Sequence, residues 1–177
     1  LFRSYVKISM NSRSSNIKKI QDIINNCSYL SSTQLIKENF RKIAQVIVDF
    51  DPYIIRCYPV PLLLLSEIFQ EYGHKLKSLK AINTTGSTSS ESTRLKIENT
   101  FGVKIYDSYS CEGGTVFFQC ENHHNYHPAE EYAISEFIED DFSKNDNESP
   151  RRHITTDLIN YAFPFIRYDT QDYLVLG

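Results

Sequence analysis

The sequence has little of several features that would narrow its function. Its longest aliphatic stretch, residues 62–65, is four residues long, whereas a membrane-spanning helix needs about 20, so we expect no membrane partner. The four cysteines among 177 residues are too few for a disulfide scaffold. No secretory signal opens the sequence, which predicts cytosolic thiols and a cytoplasmic protein.

Excess charge of one sign is also lacking. Lys and Arg total 19 and Asp and Glu total 22, for a net charge of -3. This balance excludes the basic footprint of a general nucleic-acid binder, so no nucleic-acid partner is expected. A Ser-His-Asp arrangement for nucleophilic catalysis is missing too.

The composition that remains is that of a globular domain. Hydrophobic residues make up 41% and charged residues 23%, which excludes a wholly disordered chain. The sequence starts at Leu1 rather than Met and ends just after the strand-like residues 173–176. We therefore expect a piece of a larger protein.

Residues 1–52 are predicted to be a helical lead-in. Apolar residues in 14–28 share one helical face, and those in 36–50 recur at steps of 4 and 3. The residues that carry the two patterns are Ile17, Ile20, Ile23, Ile24 and Cys27, then Ile36, Phe40, Ile43, Ile47 and Phe50. Thr33 is the expected cap of the second helix, and Asp51-Pro52 ends it.

Residues 53–114 predict a parallel βαβαβ region. Strands are expected at 53–58, 79–83 and 103–106, and helices at 59–72 and 89–101. Gly73 and Gly102 are the expected helix stops, and Thr88 with Glu91 has the spacing of a capping box. Ligands collect at the carboxyl ends of parallel strands, where the loops 84–90 and 107–114 lie.

Residues 115–177 predict a mostly β segment. Strand-like runs at 116–120, 132–138, 154–159 and 165–168 follow one another without helical patterns between them. The polar stretch 139–152 is predicted to be a mobile surface loop. The fold class is therefore α/β, a parallel βαβαβ region followed by a mostly β segment.

Three segments carry residues suited to a nucleotide. The hydroxyl-rich loop 84–90 suits an anion at a helix start or is simply a capped helix, and it lacks the Gly-Lys-Ser/Thr ending of a Walker loop. The segment 107–114 offers an aromatic for a base and a carboxylate for Mg²⁺, or is an ordinary turn. In 163–172, Asp172 offers two acceptors to ribose hydroxyls, unless Arg167 and Asp172 belong to surface ion pairs.

A fourth segment has the residue types of a zinc site. Cys111, Cys120, His123, His124 and His127 follow the pattern C-x8-C-x2-H-x3-H, and thiolate and imidazole are zinc ligands. Cys120, His123 and His127 are the candidate zinc ligands. The alternative is a polar turn that happens to be rich in histidine.

In order along the chain, these segments resemble one family. The matching motifs are Arg56-Cys57-Tyr58-Pro59, Thr85-Gly86-Ser87, Tyr109-Ser110-Cys111-Glu112-Gly113-Gly114, Gln119-Cys120 with Tyr126-His127, Thr156-Asp157-Leu158-Ile159-Asn160-Tyr161-Ala162, and Pro164-Phe165-Ile166-Arg167-Tyr168-Asp169-Thr170-Gln171-Asp172. They resemble the phenylacetate–coenzyme A ligase-like branch of the adenylate-forming, or AMP-binding, superfamily, and within it the capsular-polysaccharide-biosynthesis type. The resemblance extends over residues 30–176 of what would be the large N-terminal domain.

The resemblance implies a reaction and its participants. Such enzymes join a carboxylate to ATP, giving an acyl-adenylate and pyrophosphate, and many then pass the acyl group to a thiol. We therefore expect ATP and Mg²⁺ as cofactors, a small carboxylic or amino acid as substrate, and coenzyme A or a carrier-protein thiol as acceptor. No side chain needs to act as a nucleophile, because the substrate carboxylate attacks.

The resemblance also implies roles for individual residues. Tyr109 falls on the aromatic that packs against adenine, and Asp172 on the acid that holds the ribose hydroxyls. Glu112 falls on the carboxylate associated with Mg²⁺ and is the implied catalytic residue. Further residues on the nucleotide-binding side are Thr85, Gly86, Ser87, Asp107 and Ser110.

The sequence departs from the family pattern in several places. The motif Tyr109-Ser110-Cys111-Glu112 is one residue shorter than usual, Ser87 replaces an acid, and Gln171 replaces a glycine. The upstream phosphate loop and the C-terminal domain with the catalytic lysine are missing, so we expect these 177 residues to be inactive alone. The alternatives are a zinc-stabilised binding module and a non-catalytic relative that binds a partner.

Overall fold

A computed structural model describes residues 4–9, 24, 26–31, 39–123, 125–139 and 149–176. The chain divides into two compact units, Leu1–Asp107 and Ser108–Gly177. The sequence placed the change from α/β to mostly β at 114, whereas the units divide inside a strand.

The first unit combines a parallel sheet with helices. Its elements are β1 Tyr5–Ser9, β2 Cys27–Ser31, α1 Phe40–Phe50, β3 Ile54–Cys57, α2 Pro59–Tyr72, β4 Ala81–Thr85, α3 Glu91–Phe101 and the start of β5 Ile105–Ser110. The strand order is β2-β1-β3-β4-β5. β1 runs parallel to β2 and β3, and β3 runs parallel to β4. The sequence-based prediction of an α/β fold is confirmed here.

Local chemistry explains where the helices begin and end. Pro59 occupies the first turn of α2, where a missing N–H costs no hydrogen bond. Gly73 and Gly102 end α2 and α3 in the left-handed conformation, with φ of 65° and 69°, as the sequence predicted. The apolar faces meet in one core that includes Val6, Ile47, Ile55, Leu65, Ile82 and Ile97.

The structure corrects part of the helical lead-in. Tyr5–Ser9 and Cys27–Ser31 are strands, so Cys27 lies in the sheet rather than on a helical face. The sheet gains two strands because β1 pairs on both sides, with β2 and with β3. The helix predicted over 36–50 is present as Phe40–Phe50. Ile17, Ile20, Ile23, Thr33 and Ile36 lie outside the described residues.

The second unit is built from antiparallel strands. The end of β5 pairs with β6 Val116–Gln119, which pairs with β7 Tyr126–Pro128. A three-stranded sheet has the order β10-β9-β8, with β8 Ala133–Ile138, β9 Arg151–Asp157 and β10 Tyr168–Leu174. The pairing of β10 with β9 shifts between Asp169 and Tyr173.

Several strand boundaries differ from those predicted. Arg151 and Arg152 open β9 instead of belonging to the loop 139–152, and residues 140–148 of that loop lie outside the described residues. β9 ends at Asp157, whereas the predicted strand ended at residue 159. β10 covers Tyr168–Leu174, whereas the predicted strand covered 165–168. Ladder pairing decided both boundaries, because β9 is hydrogen-bonded on both sides.

Two further properties follow from the structure. The four cysteines are thiols, as predicted, and burial raises the pKa of the Cys57 thiol to about 12. Within the described residues, no helix is long and apolar enough to cross a membrane.

Candidate nucleotide site

The loop after β4 is shaped by a close approach to an aromatic ring. Gly86 has φ of +84°, and a Cβ there would lie 2.5 Å from Cε1 of Tyr58. Only glycine can adopt this positive φ and also avoid a clash with the Tyr58 ring without strain. Thr85 ends β4, while Ser87 is exposed in the loop that follows.

The helix after this loop starts differently from the prediction. Ser90 is the N-cap of α3, and its Oγ accepts a hydrogen bond of 3.2 Å from the Thr93 N–H. The expected capping box between Thr88 and Glu91 is therefore wrong, because the helix begins two residues later than that pairing requires. Glu91 instead lies in the first turn, where a negative charge suits the helix dipole.

A buried polar pair joins β4 to β5. The Thr84 hydroxyl donates a hydrogen bond of 2.6 Å to Oδ1 of Asp107. Thr84 is fully buried and Asp107 nearly so. The sequence analysis placed Thr84 in the loop 84–90 and did not pair it with Asp107. Sheet pairing supplies this partner, 23 residues away in the chain.

The second unit brings together two residues from distant motifs. The Tyr109 hydroxyl, on β5, donates a hydrogen bond to Oδ2 of Asp172, on β10. The two residues are 63 positions apart. Asp172 is exposed and Tyr109 half-buried. The aromatic ring of Tyr109 therefore lies next to the exposed carboxylate of Asp172.

Two rings hold the side chain of Tyr109. Its ring centroid lies 5.6 Å from that of Phe117 and 6.1 Å from that of His153, both in tilted or edge-on geometry. Burial and the hydrogen bond to Asp172 raise the pKa of Tyr109 above its usual range. The hydroxyl therefore keeps its proton and remains a donor.

A bulge in β10 presents Asp172. Gln171 has φ of 62°, in the left-handed region, and its N–H donates to Oδ1 of Asp169 at 3.1 Å. The Asp172 N–H donates to Oγ1 of Thr170 at 3.1 Å. Gln171 therefore occupies a backbone position that favours glycine, since glycine adopts positive φ without strain.

His153 is a buried polar residue that the sequence analysis missed. It is 0% exposed, its Nε2 lies 3.2 Å from Oγ of Ser135, and its carbonyl accepts a 2.9 Å hydrogen bond from Thr170. The ring stacks on Phe137 with centroids 5.6 Å apart. Burial lowers the pKa of His153, while the charge of Asp172 opposes this shift. The signal available in the sequence was its position directly before the strand-like run 154–159.

Glu112 lies in the turn between β5 and β6 and is exposed. The two glycines after it pack closely against β9: a Cβ at Gly113 would lie 2.0 Å from Cγ2 of Thr155, and one at Gly114 would lie 2.8 Å from the Asp157 carboxyl carbon. The turn is therefore held against β9, with the carboxylate of Glu112 open to a ligand. Ser110 is exposed at the end of β5.

The structure does not support the zinc hypothesis. Across residues 39–123, 125–139 and 149–176, no three His, Cys, Asp or Glu side chains gather as a metal site. Cys120 and His123 flank a turn, closed by a 3.1 Å hydrogen bond from the His123 N–H to the Cys120 carbonyl, and His127 is exposed on β7. His124 lies outside the described residues. The alternative of a polar turn fits this part of the structure.

Comparisons with known proteins identify the fold. No family model matches the sequence, and no curated protein matches it. Among solved structures, 2-hydroxyisobutyryl-CoA ligase in complex with 2-HIB-AMP and CoA superposes with a TM-score of 0.70 at 13% identity, over 95% of this chain and 39% of that one. The anthranilate CoA ligase AuaEII with anthranoyl-AMP gives a TM-score of 0.60 at 11% identity, over 88% and 32%.

A third structure agrees. Apo MbtA of Mycobacterium smegmatis gives a TM-score of 0.61 at 8% identity, over 98% of this chain and 32% of that one. At such identities the similarity establishes fold. The chain has a mixed α/β fold that matches part of these ligase structures. It spans about two fifths of the first ligase.

Proposed function

We propose that this chain is the adenosine-binding part of an ATP-dependent ligase that converts a carboxylate to an acyl-adenylate. The observation that carries the proposal is the contact between Tyr109 and Asp172. The sequence assigned both residues to one nucleotide from separate motifs, and the fold places them in hydrogen-bond contact. A chance match of either motif alone would not require this.

The residues present fit an adenosine group. An adenosine offers an aromatic base and two adjacent hydroxyl donors, and the site offers a half-buried aromatic ring beside an exposed carboxylate. Tyr109 would pack against the base and Asp172 would accept from the ribose hydroxyls. The chemistry that ATP supplies is a phosphorus atom open to attack by a carboxylate, with pyrophosphate as the leaving group.

Glu112 is the residue proposed to hold Mg²⁺. Sites for this ion usually combine one or two carboxylates with phosphate oxygens and water, rather than a cage of protein ligands. One exposed carboxylate at the turn Glu112–Gly114 suits such a site. Thr85, Gly86, Ser87, Asp107 and Ser110 are proposed to line the nucleotide side, on the strength of the family resemblance.

The finer assignment rests on the motifs. We propose the phenylacetate–coenzyme A ligase-like branch and its capsular-polysaccharide type, acting in the cytoplasm on a small carboxylic or amino acid. The acceptor is proposed to be coenzyme A or a carrier-protein thiol. The solved ligases with similar folds include complexes with CoA and with AMP adducts. The whole reaction is proposed for a protein that also contains a phosphate loop and a catalytic lysine.

AMP binding to the 177-residue chain tests the proposal. We expect calorimetric titration to show saturable binding, weakened at least about tenfold in Asp172→Asn, since the amide loses a charged acceptor. Asp49→Asn, at an exposed residue of α1, is the matched control and should bind as the unmodified chain does. A chain that binds no AMP, or an Asp172→Asn variant that binds equally well, would refute the assignment.

The reaction itself gives a second test. We expect the 177 residues alone to show no carboxylate-dependent ATP–pyrophosphate exchange, because the groups implied for phosphate binding lie outside this sequence. If the chain shows exchange faster than the Asp172→Asn variant, the proposal that the phosphate-binding groups lie outside these residues is wrong.

A further inference from the structure

The Tyr109 hydroxyl makes a hydrogen bond that packing against a base does not require. An aromatic ring alone suffices for stacking on adenine. Here the hydroxyl donates a hydrogen bond to Asp172, the residue proposed to hold the ribose. The structure therefore links the two halves of the adenosine site through one hydrogen bond.

Asp172 would otherwise have a freely rotating side chain. It is exposed on β10, and a ligand that fixes an exposed side chain must offset its lost rotamer freedom. Its backbone is already held, through the 3.1 Å hydrogen bond to Thr170, whose hydroxyl donates to the His153 carbonyl at 2.9 Å. The bond from Tyr109 adds the missing constraint on the carboxylate itself.

The donor is as well fixed as the acceptor. The Tyr109 ring is held between Phe117 and His153, and the raised pKa of Tyr109 keeps its proton in place. The bond occupies one lone pair of Oδ2. A carboxylate has about four acceptor sites, so both oxygens can still accept from a ligand.

We propose that the Tyr109 hydroxyl sets the preference of this site for a ribose over a deoxyribose, by holding the Asp172 carboxylate ready to accept from two adjacent hydroxyls. This inference rests on the proposed function. It assigns Tyr109 a second role, as a specificity-determining residue that acts through Asp172. Preorganisation of this kind raises affinity by lowering the cost of ordering the site.

The test compares AMP with 2′,3′-dideoxy-AMP, which keeps the base and the phosphate and lacks both hydroxyls. Dissociation constants are measured by calorimetry for the unmodified chain, Tyr109→Phe, Asp172→Asn and the double variant. Tyr161→Phe is the matched control, because Tyr161 is 91% exposed. Circular dichroism and thermal unfolding confirm that each variant is folded.

We expect Tyr109→Phe to weaken AMP binding about fivefold, the worth of one hydrogen bond, and to leave dideoxy-AMP binding unchanged. Asp172→Asn should abolish the preference for AMP, and the double variant should match Asp172→Asn. Tyr161→Phe should change neither ligand. Should Tyr109→Phe fail to fold, Asp172→Glu, which moves the carboxylate by one methylene, should reduce the same preference.

The remaining outcomes distinguish failure of the proposed function from failure of the inference about the Tyr109 hydroxyl. If the unmodified chain binds no AMP, the proposed function fails and this inference with it. If AMP binds and the preference survives Tyr109→Phe or Asp172→Glu, only the inference fails. Tighter AMP binding by Tyr109→Phe would show that the hydroxyl competes with the ribose, and equal losses for both ligands would show that it acts on the base. Either result overturns the inference.

Discussion

Gly113 lies so close to Thr155 that a Cβ atom would stand 2.0 Å from its Cγ2 methyl. Thr155 also donates a 3.2 Å hydrogen bond to the Gly113 carbonyl. We predict that Gly113→Ala destabilises the second unit by about 2 kcal/mol through overpacking. Chemical denaturation measures the free energy of unfolding.

The matched test of this contact is a second substitution. Thr155→Ser removes the methyl and keeps the hydroxyl, so it should restore part of the stability lost in Gly113→Ala. Gly73→Ala is the comparison without a clash: a Cβ there meets nothing within 4 Å, and its cost comes from the positive φ that Gly113 does not have. If the double variant is no more stable than Gly113→Ala, the steric explanation is wrong.

Gln171 is predicted to be a strained residue. Its φ of 62° lies where a side chain costs about 1 kcal/mol relative to glycine. Gln171→Gly should therefore raise the free energy of unfolding by about 0.5 kcal/mol or less, after the greater entropy of glycine in the unfolded chain is subtracted. Gln70→Gly, inside α2, should lower it by about 1 kcal/mol. Equal losses in both variants would contradict the conformational argument.

The start of α3 distinguishes two capping residues. Ser90→Ala should cost about 1 kcal/mol, because its Oγ accepts from the Thr93 N–H at 3.2 Å. Thr88→Ala, at the position that the sequence pattern favoured, should change stability by less than about 0.5 kcal/mol. Thermal and chemical unfolding of the two variants decide between them, and the reverse order would reinstate the capping box.

His153 should make stability depend on pH. Burial holds its pKa in the folded chain below the unfolded value of about 6.5. The unfolded chain then binds more protons as the pH falls below that value, so the free energy of unfolding should decrease from pH 7 toward pH 5. Asp172 opposes this effect by favouring the charged ring.

The slope of stability against pH is the measurement for His153. His153→Asn should flatten the slope, whereas His127→Asn, at an exposed residue, should not. A slope that persists unchanged in His153→Asn would mean that another group is responsible.

Local patterns predicted the elements of the βαβαβ region well. Pro59, Gly73 and Gly102 mark helix ends in the sequence, and each does so in the structure for a reason confined to its own turn. β1 and β2 were missed because short strands are defined by their pairing. Tyr5–Ser9 hydrogen-bonds to strands on both sides, and neither partner adjoins it in sequence.

In the candidate site, too, contacts between residues distant in sequence could not be predicted. Tyr109, Glu112 and Asp172 could be proposed from the sequence because they lie in the motifs that carry the family resemblance. The partners of Thr84 and His153 could not be predicted, since only the folded chain supplies them, Asp107 in one case and an aromatic cluster in the other. The zinc pattern shows the converse case: its spacing in sequence did not bring three candidate ligands together among the described residues.

The sequence by itself determined the α/β class and the helix stops, because these depend on short stretches of chain and on side-chain chemistry. The tertiary structure decided that Tyr109 donates to Asp172, that Gln171 adopts a left-handed backbone, and that the double glycine packs against Thr155 and Asp157. Each of these depends on strands brought together across tens of residues. Hydrogen-bonded pairing and close packing, which no local pattern records, determine them.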